Sequence, residues 1–373
     1  MNILFLITGL NTGGAEMQVY QMMKTMREQH AGCRTVVVSL LPLGPVGEKL
    51  KEDGFPVFSL DMTRGKPSVK AVVRLNQILK DERIDLVHSH LYHANLLGRL
   101  IKMFHSRLKL INTIHNIQIG GRSRERMLQL TNGMADSITI ISEAARNHFI
   151  QAGAVPPEKL LFIPNGVDTK MYRSIPAVRE KIRDELQVGD DFTWLAIGRL
   201  DEQKNYPNMF HAFARVLRRT ANTRLLIAGV GPHQSSLEKL AASLEIEKHV
   251  HFLGYRKDIP DLMSAADAYV MSSDWEGMPL VLQEASSIGL PIVCTDVGGN
   301  REVVLDGQTG FIVKPSSPVS LGDSMMQMLE MSTAERKKMG EEGSLYMEQV
   351  YELDRITERW HKLYKQVLQH TAG

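Results

Sequence analysis

The sequence predicts an α/β protein built from two Rossmann-like domains. Its 373 residues are enough for two domains of roughly 150–200 residues each. Short apolar runs rich in Val, Ile and Leu recur along both halves, which is typical of parallel strands that are buried on both faces. Longer helical patterns separate these runs, as in the βαβ units of a doubly wound sheet.

The apolar runs form two sets, which predict seven strands in the first half of the chain and six in the second. The first set is Asn2–Ile7, Arg34–Ser39, Val57–Leu60, Leu86–His88, Lys109–Ile114, Ser137–Ile141 and Leu161–Ile163. The second set is Thr193–Ile197, Arg224–Ala228, Val250–Leu253, Ala268–Met271, Ile292–Thr295 and Gly310–Val313. We place the N-terminal domain at residues 1–172 and the C-terminal domain at residues 173–353. The last segment, 354–373, is expected to be a helix that packs back on the N-terminal domain.

Composition excludes several classes of protein. With 43% apolar and 23% charged residues, the chain is globular. No apolar run approaches the roughly 20 residues that a membrane-spanning helix needs. The opening MNILFLITGL lacks a basic region and a cleavage site, so it indicates a first strand and not a signal peptide. Two cysteines, Cys33 and Cys294, provide neither a disulfide framework nor a CxxC metal site, and we expect a cytoplasmic protein.

Charge is unevenly distributed along the chain. Residues 1–170 carry 21 Lys and Arg against 14 Asp and Glu, whereas the remainder is net negative. The basic half could bind phosphates, either in a ligand or at an anionic membrane surface. The segment 99–109, with Leu100, Ile101, Met103 and Phe104, and the nearby Arg122, Arg124 and Arg126 could contact lipid. An ordinary amphipathic helix explains the same pattern. Nucleic acid is not an expected partner, because the chain has no recognition motif for it.

Glycines and cations follow several predicted strands, where ligands bind in open α/β sheets. Gly13 and Gly14, in TGLNTGGAE, precede a helix whose N–H groups favour an anion, although a tight strand-to-helix turn explains them too. This spacing is not GxGxxG, which weakens a dehydrogenase interpretation. Arg199 and Lys204, in GRLDEQKN, could converge on a diphosphate or lie on a solvated loop. Gly231, in LLIAGVGP, marks a close approach of the backbone.

The segment SDWEGMPLVLQEASSIGLPIV carries the strongest local pattern. Glu276 lies in the loop after a predicted strand, and Glu284 lies inside the helix that follows. Two carboxylates on one loop–helix unit can accept hydrogen bonds from two sets of hydroxyls. The alternatives are a helix stabilised by acidic residues near its N-terminus and a glycosidase carboxylate pair. The backbone N–H groups of Gly277, Met278 and Leu280 are expected to point outwards at the start of this helix, and Pro279 suits its first turn.

Histidines cluster near one predicted strand of the first half. His88, His90 and His93 lie in LVHSHLYHANLLGRL. His-x-His can bind a metal, but a third ligand is not evident. We therefore favour a structural role, or a role in an acceptor cleft, over a metal site.

These motifs together resemble a known family. EGMPLVLQEA matches the E-x7-E motif of the retaining glycosyltransferases of family 4, which have the GT-B architecture of two Rossmann-like domains facing across a cleft. TGGAE, NTIHN, IISEAARNHF, IPNGVD, GRLDEQKN, FLGYRKDI and DVGGNREVVLDG follow one another in the family's order. The resemblance covers nearly the whole chain.

The resemblance implies roles for individual residues. Glu284 would hold the ribose hydroxyls of the donor nucleotide, and Glu276 the transferred sugar. Arg199 and Lys204 would bind the diphosphate and balance the charge of the leaving group. The remaining nucleotide-sugar contacts would come from Gly13, Gly14, Gly231, the turn at Tyr255 and Arg256, and the backbone of Gly277, Met278, Pro279 and Leu280. His115, in TIHN, matches the active-site histidine that hydrogen-bonds near the sugar.

The resemblance also implies an activity. It predicts the transfer of a sugar, with retention of configuration, from a nucleotide-sugar to a polyprenyl-diphosphate-linked saccharide in bacterial polysaccharide or glycan assembly. UDP is the favoured nucleotide, and GDP-mannose stays open. The chain has no Asp-x-Asp motif, so we expect no cofactor and no metal requirement, with transfer at the inner face of the cell membrane. The alternatives are a GT-B-like UDP-sugar 2-epimerase and a non-catalytic nucleotide-sugar-binding module.

Overall fold

The computed structural model describes residues 1–63, 66 and 68–369. The chain divides into two compact units. Unit 1 comprises Met1–Gly166 and the C-terminal segment that begins at Leu353, and unit 2 comprises Val167–Glu352. Each unit contains one parallel sheet with helices, which confirms the predicted fold class. Among the described residues, no helix combines the length and apolar character needed to cross a bilayer.

Unit 1 contains a seven-stranded parallel sheet in the order β3-β2-β1-β4-β5-β6-β7. Its strands are β1 Asn2–Ile7, β2 Arg34–Ser39, β3 Val57–Ser59, β4 Leu86–His90, β5 Lys109–Ile114, β6 Ser137–Ile140 and β7 Leu160–Phe162. The central strands are buried on both faces, as their near-continuous apolar sequences predict. The strand order reverses between β1 and β4, which is where ligands bind in such sheets.

Helices cover both faces of this sheet. They are α1 Gly14–Gln29, α2 Pro45–Glu52, α3 Val69–Asp81, α4 Tyr92–Lys102, α5 Arg122–Thr131, α6 Glu143–Gln151 and α15 Leu353–Gln369. Apolar residues of α3 to α6 pack into one core cluster. Those of α1, α2 and α15 pack into a second cluster, where Trp360 and Tyr364 of α15 are fully buried. The C-terminal helix is therefore part of the hydrophobic core of unit 1.

Unit 2 contains a six-stranded parallel sheet in the order β10-β9-β8-β11-β12-β13. Its strands are β8 Phe192–Ile197, β9 Thr223–Ala228, β10 Val250–Gly254, β11 Ala268–Met271, β12 Ile292–Thr295 and β13 Gly310–Val313. Its helices are α7 Pro176–Glu185, α8 Tyr206–Leu217, α9 Gln234–Ser243, α10 Ile259–Ala265, α11 Leu280–Ser287, α12 Asn300–Val303, α13 Pro318–Glu330 and α14 Thr333–Val350. The strand order reverses between β8 and β11.

The boundary between the units lies earlier than the sequence predicts. We placed it between residues 172 and 173, whereas unit 2 begins at Val167. The Val167 N–H donates a hydrogen bond to the Tyr351 carbonyl oxygen. The carbonyl oxygen of the buried Tyr172 accepts a hydrogen bond from the Ser287 hydroxyl. These contacts assign residues 167–172 to unit 2. The final helix begins at Leu353, one residue before the predicted segment 354–373. Residues 370–373 of that segment lie outside the described residues.

Candidate functional site

The reversal of strand order in unit 2 brings two loops together. The loop after β8 carries Arg199 and Lys204, and the loop after β11 carries Glu276. β8 and β11 are hydrogen-bonded neighbours in the sheet. Parallel strands end at the same edge, so loops that are far apart in sequence meet there.

Lys204 and Glu276 form a salt bridge at this edge. Lys204 Nζ lies 2.6 Å from Glu276 Oε1, and the Glu276 side chain is only 7% exposed. The other carboxylate oxygen, Oε2, accepts from Gln203 Nε2 at 3.1 Å. Buried charges of this kind require partners. An ammonium group has three donors, so Lys204 can contact an incoming anion while it remains bound to Glu276.

Hydrogen bonds between the two loops hold Lys204 in place. The Ser272 hydroxyl lies 2.8 Å from the Lys204 carbonyl and 2.9 Å from the Asn205 carbonyl. The Asn205 side-chain amide donates to both Asp274 oxygens at 3.0 Å. Asn205 has the left-handed φ of 42° that asparagine tolerates, and its side chain caps α8. The segment that carries Lys204 is thus preorganised before any ligand binds.

Glycines allow the close approach of backbone around these loops. A Cβ atom at Gly298 would lie 2.1 Å from the Glu276 carbonyl oxygen, and Gly298 has a φ of 53°. A Cβ atom at Gly231 would lie 2.3 Å from the Leu200 carbonyl oxygen. The close approach predicted at Gly231 is therefore to the neighbouring β8 loop, and its contact with a nucleotide-sugar stays a prediction.

The loop after β11 leads directly into α11. Pro279 precedes the helix, which begins at Leu280, and no side chain of the described residues caps its N-terminus. The Leu282 N–H donates to the Pro279 carbonyl oxygen, which leaves the N–H groups of Leu280 and Val281 at the start of the helix for an anion. Glu276, Gly277 and Met278 are buried in the preceding loop.

Glu284 lies on α11 and is the second carboxylate of the E-x7-E motif. Burial raises the pKa of Glu284 to about 7, although a hydrogen bond from the Tyr172 hydroxyl opposes this shift. Tyr172 belongs to a polar segment that the sequence predicts to be the end of the N-terminal domain. No local pattern marks this tyrosine as part of the site, because it reaches Glu284 only through the fold of unit 2.

The other predicted residues of unit 2 lie outside the Lys204–Glu276 contact. The Arg199 side chain is 71% exposed, and its Nε lies 3.6 Å from Asp201 Oδ2. Tyr255 is exposed. Arg256 donates to Asp258 from Nε at 2.8 Å and to Glu185 from a terminal nitrogen at 2.9 Å. The Arg256 side chain therefore anchors its turn, which leaves the backbone of the turn for the predicted contact with the nucleotide-sugar.

Unit 1 places three of its histidines at the strand reversal. His88 Nδ1 lies 2.7 Å from the Tyr364 hydroxyl, and His88 Nε2 lies 2.6 Å from Thr113 Oγ1. His90 Nδ1 lies 2.9 Å from His115 Nε2. His88 is therefore a structural residue of the core, whereas His90 is a direct partner of the predicted site histidine.

Burial sets the protonation state of these histidines. It lowers the pKa of His115 to about 4 and lowers the pKa values of His88 and His90 well below the usual range. His115 is consequently neutral at pH 7 and can hydrogen-bond a hydroxyl without carrying charge. Sequence reasoning did not pair His90 with His115, because they lie on different strands.

The glycines after β1 lie at the same edge of the unit 1 sheet. Gly14 begins α1, and a Cβ atom there would meet no atom within 4 Å among the described residues. A Cβ atom at Gly13 would lie 2.5 Å from a carboxylate oxygen of Glu16. The start of α1 is thus open beside Gly14 and occupied by an acidic side chain beside Gly13.

The basic and apolar segment of unit 1 differs in part from the prediction. Ile101 is buried in the core. Arg99 is also buried, and its guanidinium group donates hydrogen bonds to Asn112, Leu128, Thr131 and Asn132. Neither side chain can contact lipid, because helix α4 packs with that face against the sheet. Met103 and Phe104 are exposed, and Leu100 is 41% exposed, so the segment combines an amphipathic helix packed on the core with apolar side chains on the surface.

Each unit thus has the Rossmann-like arrangement, with polar groups gathered where its strand order reverses, and the two together define an α/β protein of the GT-B class. Family profiles agree with this assignment. Residues 12–171 match the profile described as Glycosyltransferase Family 4, and residues 178–345 match Glycosyl transferases group 1. The chain belongs to glycosyltransferase family 4.

Solved structures share this fold, and curated relatives share part of the sequence. HepE from Anabaena, solved with UDP, with UDP and glucose, and with UDP-glucose, is 25% identical and covers 98% of this chain and 100% of its own, with TM-scores of 0.85, 0.87 and 0.86. A UDP-Gal:alpha-D-GlcNAc-diphosphoundecaprenol alpha-1,3-galactosyltransferase of Escherichia coli is 28% identical over 66% of each chain. A GDP-mannose-dependent alpha-(1-6)-phosphatidylinositol monomannoside mannosyltransferase of Mycolicibacterium smegmatis is 28% identical over 71% of this chain and 72% of its own.

Proposed function

We propose that this chain transfers a sugar from a UDP-sugar to a lipid-diphosphate-linked saccharide, with retention of configuration and without a metal ion. The observation that carries the proposal is the preorganised Lys204–Glu276 pair beside the open start of α11, with Glu284 on the same helix. The Lys204 ammonium group and the N-terminus of α11 suit the diphosphate of a nucleotide-sugar. The Glu276 carboxylate suits its sugar, and the Glu284 carboxylate suits its ribose.

The proposed reaction develops charge at both ends of the breaking bond. Cleavage of the glycosyl–phosphate bond makes the sugar positive and the diphosphate negative, and Lys204 and the N–H groups of α11 stabilise the diphosphate. Both oxygens of Glu276 already accept hydrogen bonds, from Lys204 and Gln203. Each carboxylate oxygen can accept a second hydrogen bond, so Glu276 can also bind hydroxyls of the sugar while these contacts fix its orientation. A donor phosphate oxygen takes the proton of the acceptor hydroxyl, so no protein base is assigned.

The relatives support the two substrates to different degrees. HepE binds UDP and UDP-glucose, and the E. coli enzyme is named for UDP-Gal, which supports a UDP-linked donor. The mycobacterial relative is named for GDP-mannose, so GDP-mannose is the second candidate donor. Both enzymes are named for lipid acceptors, a diphosphoundecaprenol and a phosphatidylinositol, which supports a lipid-linked acceptor.

Exposed apolar side chains on unit 1 support contact with a membrane. We define the α3–α5 surface by Val69 and Val73 of α3, Met103 and Phe104 after α4, and Leu130 of α5, all more than 60% exposed. Exposed Lys70, Arg74, Arg107, Arg122 and Arg126 lie on the same three segments. An apolar surface with interspersed cations fits an anionic bilayer. We propose that this surface brings unit 1 to the lipid acceptor.

Changing both Met103 and Phe104 to Asp is expected to lower the affinity for vesicles that contain phosphatidylglycerol by at least about tenfold, because each inserted apolar side chain contributes roughly 1.5–3 kcal/mol. Co-sedimentation measures this, and the matched control is Leu345→Asp on unit 2, where Leu345 is similarly exposed. An equal loss of vesicle affinity in the Met103 and Phe104 double variant and in Leu345→Asp would contradict the membrane role of the α3–α5 surface. Unchanged vesicle affinity in the double variant would contradict it as well.

A panel of nucleotide-sugars in the presence of EDTA tests the donor and the metal independence together. We expect one UDP-sugar to raise the thermal unfolding midpoint and to release free UDP slowly. A polyprenyl-diphosphate-linked saccharide should then accelerate UDP release and yield an α-linked product from the α-configured donor, as seen by NMR. Turnover that stops with EDTA and returns with a divalent metal refutes metal independence. Conversion of the donor to a free epimer without acceptor would identify an epimerase.

A further inference from the structure

His90 and His115 form a pair at the ends of two neighbouring strands of unit 1, and we call these two residues the histidine pair. His90 is the last residue of β4, and His115 follows the last residue of β5, which pairs with β4 in parallel. His90 Nδ1 lies 2.9 Å from His115 Nε2. His90 is 1% exposed, whereas His115 is partly exposed. His90 therefore contacts the predicted site histidine from the buried side.

The backbone directly after His90 has an unfavourable conformation. Leu91 has a φ of 71° and a ψ of 157°, a combination that is nearly confined to glycine. A residue with a side chain keeps such a conformation only where the surrounding contacts enforce it, and residues of this kind are concentrated at active sites and ligand-binding sites. The structure thus maintains a costly turn between the histidine at the end of β4 and the start of α4.

Buried hydrogen bonds enforce this turn. Asn112 Nδ2 donates to Ser89 Oγ at 2.6 Å, and the Ser89 hydroxyl donates to Asn95 Oδ1 at 2.7 Å. Asn95 Nδ2 donates to the Thr113 carbonyl oxygen at 3.0 Å. The backbone N–H of Asn95 donates to the Leu91 carbonyl oxygen. These bonds join β4, β5 and the beginning of α4, so they fix the two strand ends that carry the histidine pair.

The hydrogen bond between two neutral imidazole rings links the positions of their protons. If His115 donated from Nε2, the proton of His90 would be on its own Nε2, whereas a donation from His90 Nδ1 leaves a lone pair there. His90 Nε2 is buried and has no hydrogen-bond partner among the described residues. A buried N–H group without an acceptor is rarer in folded proteins than a buried acceptor without a donor. The unpaired Nε2 therefore favours a proton on Nδ1 of His90, and hence a proton on Nδ1 of His115.

We propose that His90 is a positioning residue, which donates from Nδ1 to His115 Nε2 and so leaves the Nδ1–H of His115 to donate to an oxygen of the transferred sugar. This role rests on the proposed sugar transfer and on the predicted contact of His115 with the sugar. Among the described residues the His115 ring makes one hydrogen bond, the bond to His90. Its Nδ1 is thus available to a ligand. A ring that is held by a buried partner and a fixed turn needs no reorientation when the sugar binds.

NMR of the full chain labelled with nitrogen-15 at histidine tests the proton positions. The chemical shifts of the two ring nitrogens distinguish a protonated nitrogen from one with a lone pair. We expect both His90 and His115 to carry the proton on Nδ1, and their signals are assigned by their loss in His90→Asn and His115→Asn. A proton on Nε2 of His115 would overturn the proposal. This measurement uses the unchanged chain and does not depend on transferase activity.

Two substitutions of His90 separate positioning from packing. The amide of asparagine can place an N–H group where His90 has Nδ1, whereas the amide of glutamine reaches the position of Nε2. His90→Asn should therefore keep the kcat of donor turnover within about threefold of the unchanged chain, and His90→Gln should lower it by at least about tenfold. UDP affinity should be unchanged in both variants, because UDP lacks the transferred sugar. Equal losses of kcat in the two variants would contradict the assignment of the donor to Nδ1.

A double-variant cycle shows whether His90 acts through His115. His90→Gln should add little to the loss of kcat in His115→Ala, because both changes remove the same contact, and additive losses would overturn the proposal. His105→Gln is the matched control and should leave kcat unchanged, because His105 hydrogen-bonds Asn76 and precedes β5, at the opposite end of that strand from His115. If the unchanged chain turned over no nucleotide-sugar, the proposed function would fail, and the NMR spectra would still decide the proton positions of the histidine pair.

Discussion

Lys204→Ala is expected to lower the kcat of donor turnover by at least about tenfold, a loss of about 1.4 kcal/mol of transition-state stabilisation. The physical reason is that negative charge grows on the diphosphate as the sugar leaves. A fixed ammonium group is more effective there than water, because it needs no reorganisation during the reaction. Steady-state release of UDP from the donor, with and without acceptor, measures the effect.

Two controls separate charge from structure in this prediction. Lys337→Ala removes an exposed lysine of α14 that pairs with Glu341 at 3.7 Å, and it should leave kcat unchanged. Lys204→Ala also leaves Glu276 with Gln203 as its remaining side-chain donor among the described residues, so thermal unfolding of the variant must be measured beside its kinetics. A folded Lys204→Ala variant with near-wild-type kcat would refute the diphosphate role.

Glu284→Ala is expected to weaken UDP binding by about tenfold or more, because hydrogen bonds to a charged group contribute roughly 1.5–3 kcal/mol. Ribose hydroxyls donate best to an ionised carboxylate, whereas the pKa of Glu284 in the unliganded chain is about 7. UDP affinity should therefore rise by up to about tenfold per pH unit below pH 7 and level off above it. Calorimetry across this range measures both effects.

Tyr172 provides a matched variant for the pH dependence. Its hydroxyl lowers the pKa of Glu284, so Tyr172→Phe should move the midpoint of the UDP-binding curve to higher pH. Glu284→Gln should remove the dependence altogether. Unchanged UDP affinity in Glu284→Ala, or an unchanged pH profile in Glu284→Gln, would exclude the ribose role.

The same titration affects the stability of the unliganded chain. Folding raises the pKa of Glu284 from its ordinary 4.5 to about 7, so the folded chain holds the carboxyl proton more tightly than the unfolded chain does. The resulting contribution to the free energy of unfolding is complete below pH 4.5 and is lost as the pH rises through about 7. Glu284→Gln should therefore flatten the stability profile between these pH values. UDP opposes the loss, because its hydroxyls stabilise the ionised form.

The strands were predictable because their signal is local. A parallel strand buried on both faces is a short apolar run, and each of the thirteen predicted strands lies within two residues of an observed one. The loop positions of Lys204 and Glu276 follow directly, since both residues come just after such runs. The motifs of family 4 were likewise readable, because they are continuous segments in a fixed order.

The partners within the site were not predictable, because they depend on contacts between distant segments. Glu276 meets Lys204 because β11 lies beside β8 in the sheet. Tyr172 reaches Glu284 from a segment that the sequence predicts to be the end of the N-terminal domain. The apolar run around Ile101 was ambiguous, and only the packing of α4 separated the buried Ile101 from the exposed Phe104.

Local patterns in the sequence thus predict the α/β class, the strands, the motif residues and the family. The tertiary structure alone decided that Lys204 is paired with Glu276, that His90 contacts His115, and that residues 167–172 belong to unit 2. It also brought His30 to α15 across more than three hundred residues of sequence. The physical reason is that periodicity and turn chemistry act over a few residues, whereas strand order and helix packing join residues without regard to their separation along the chain.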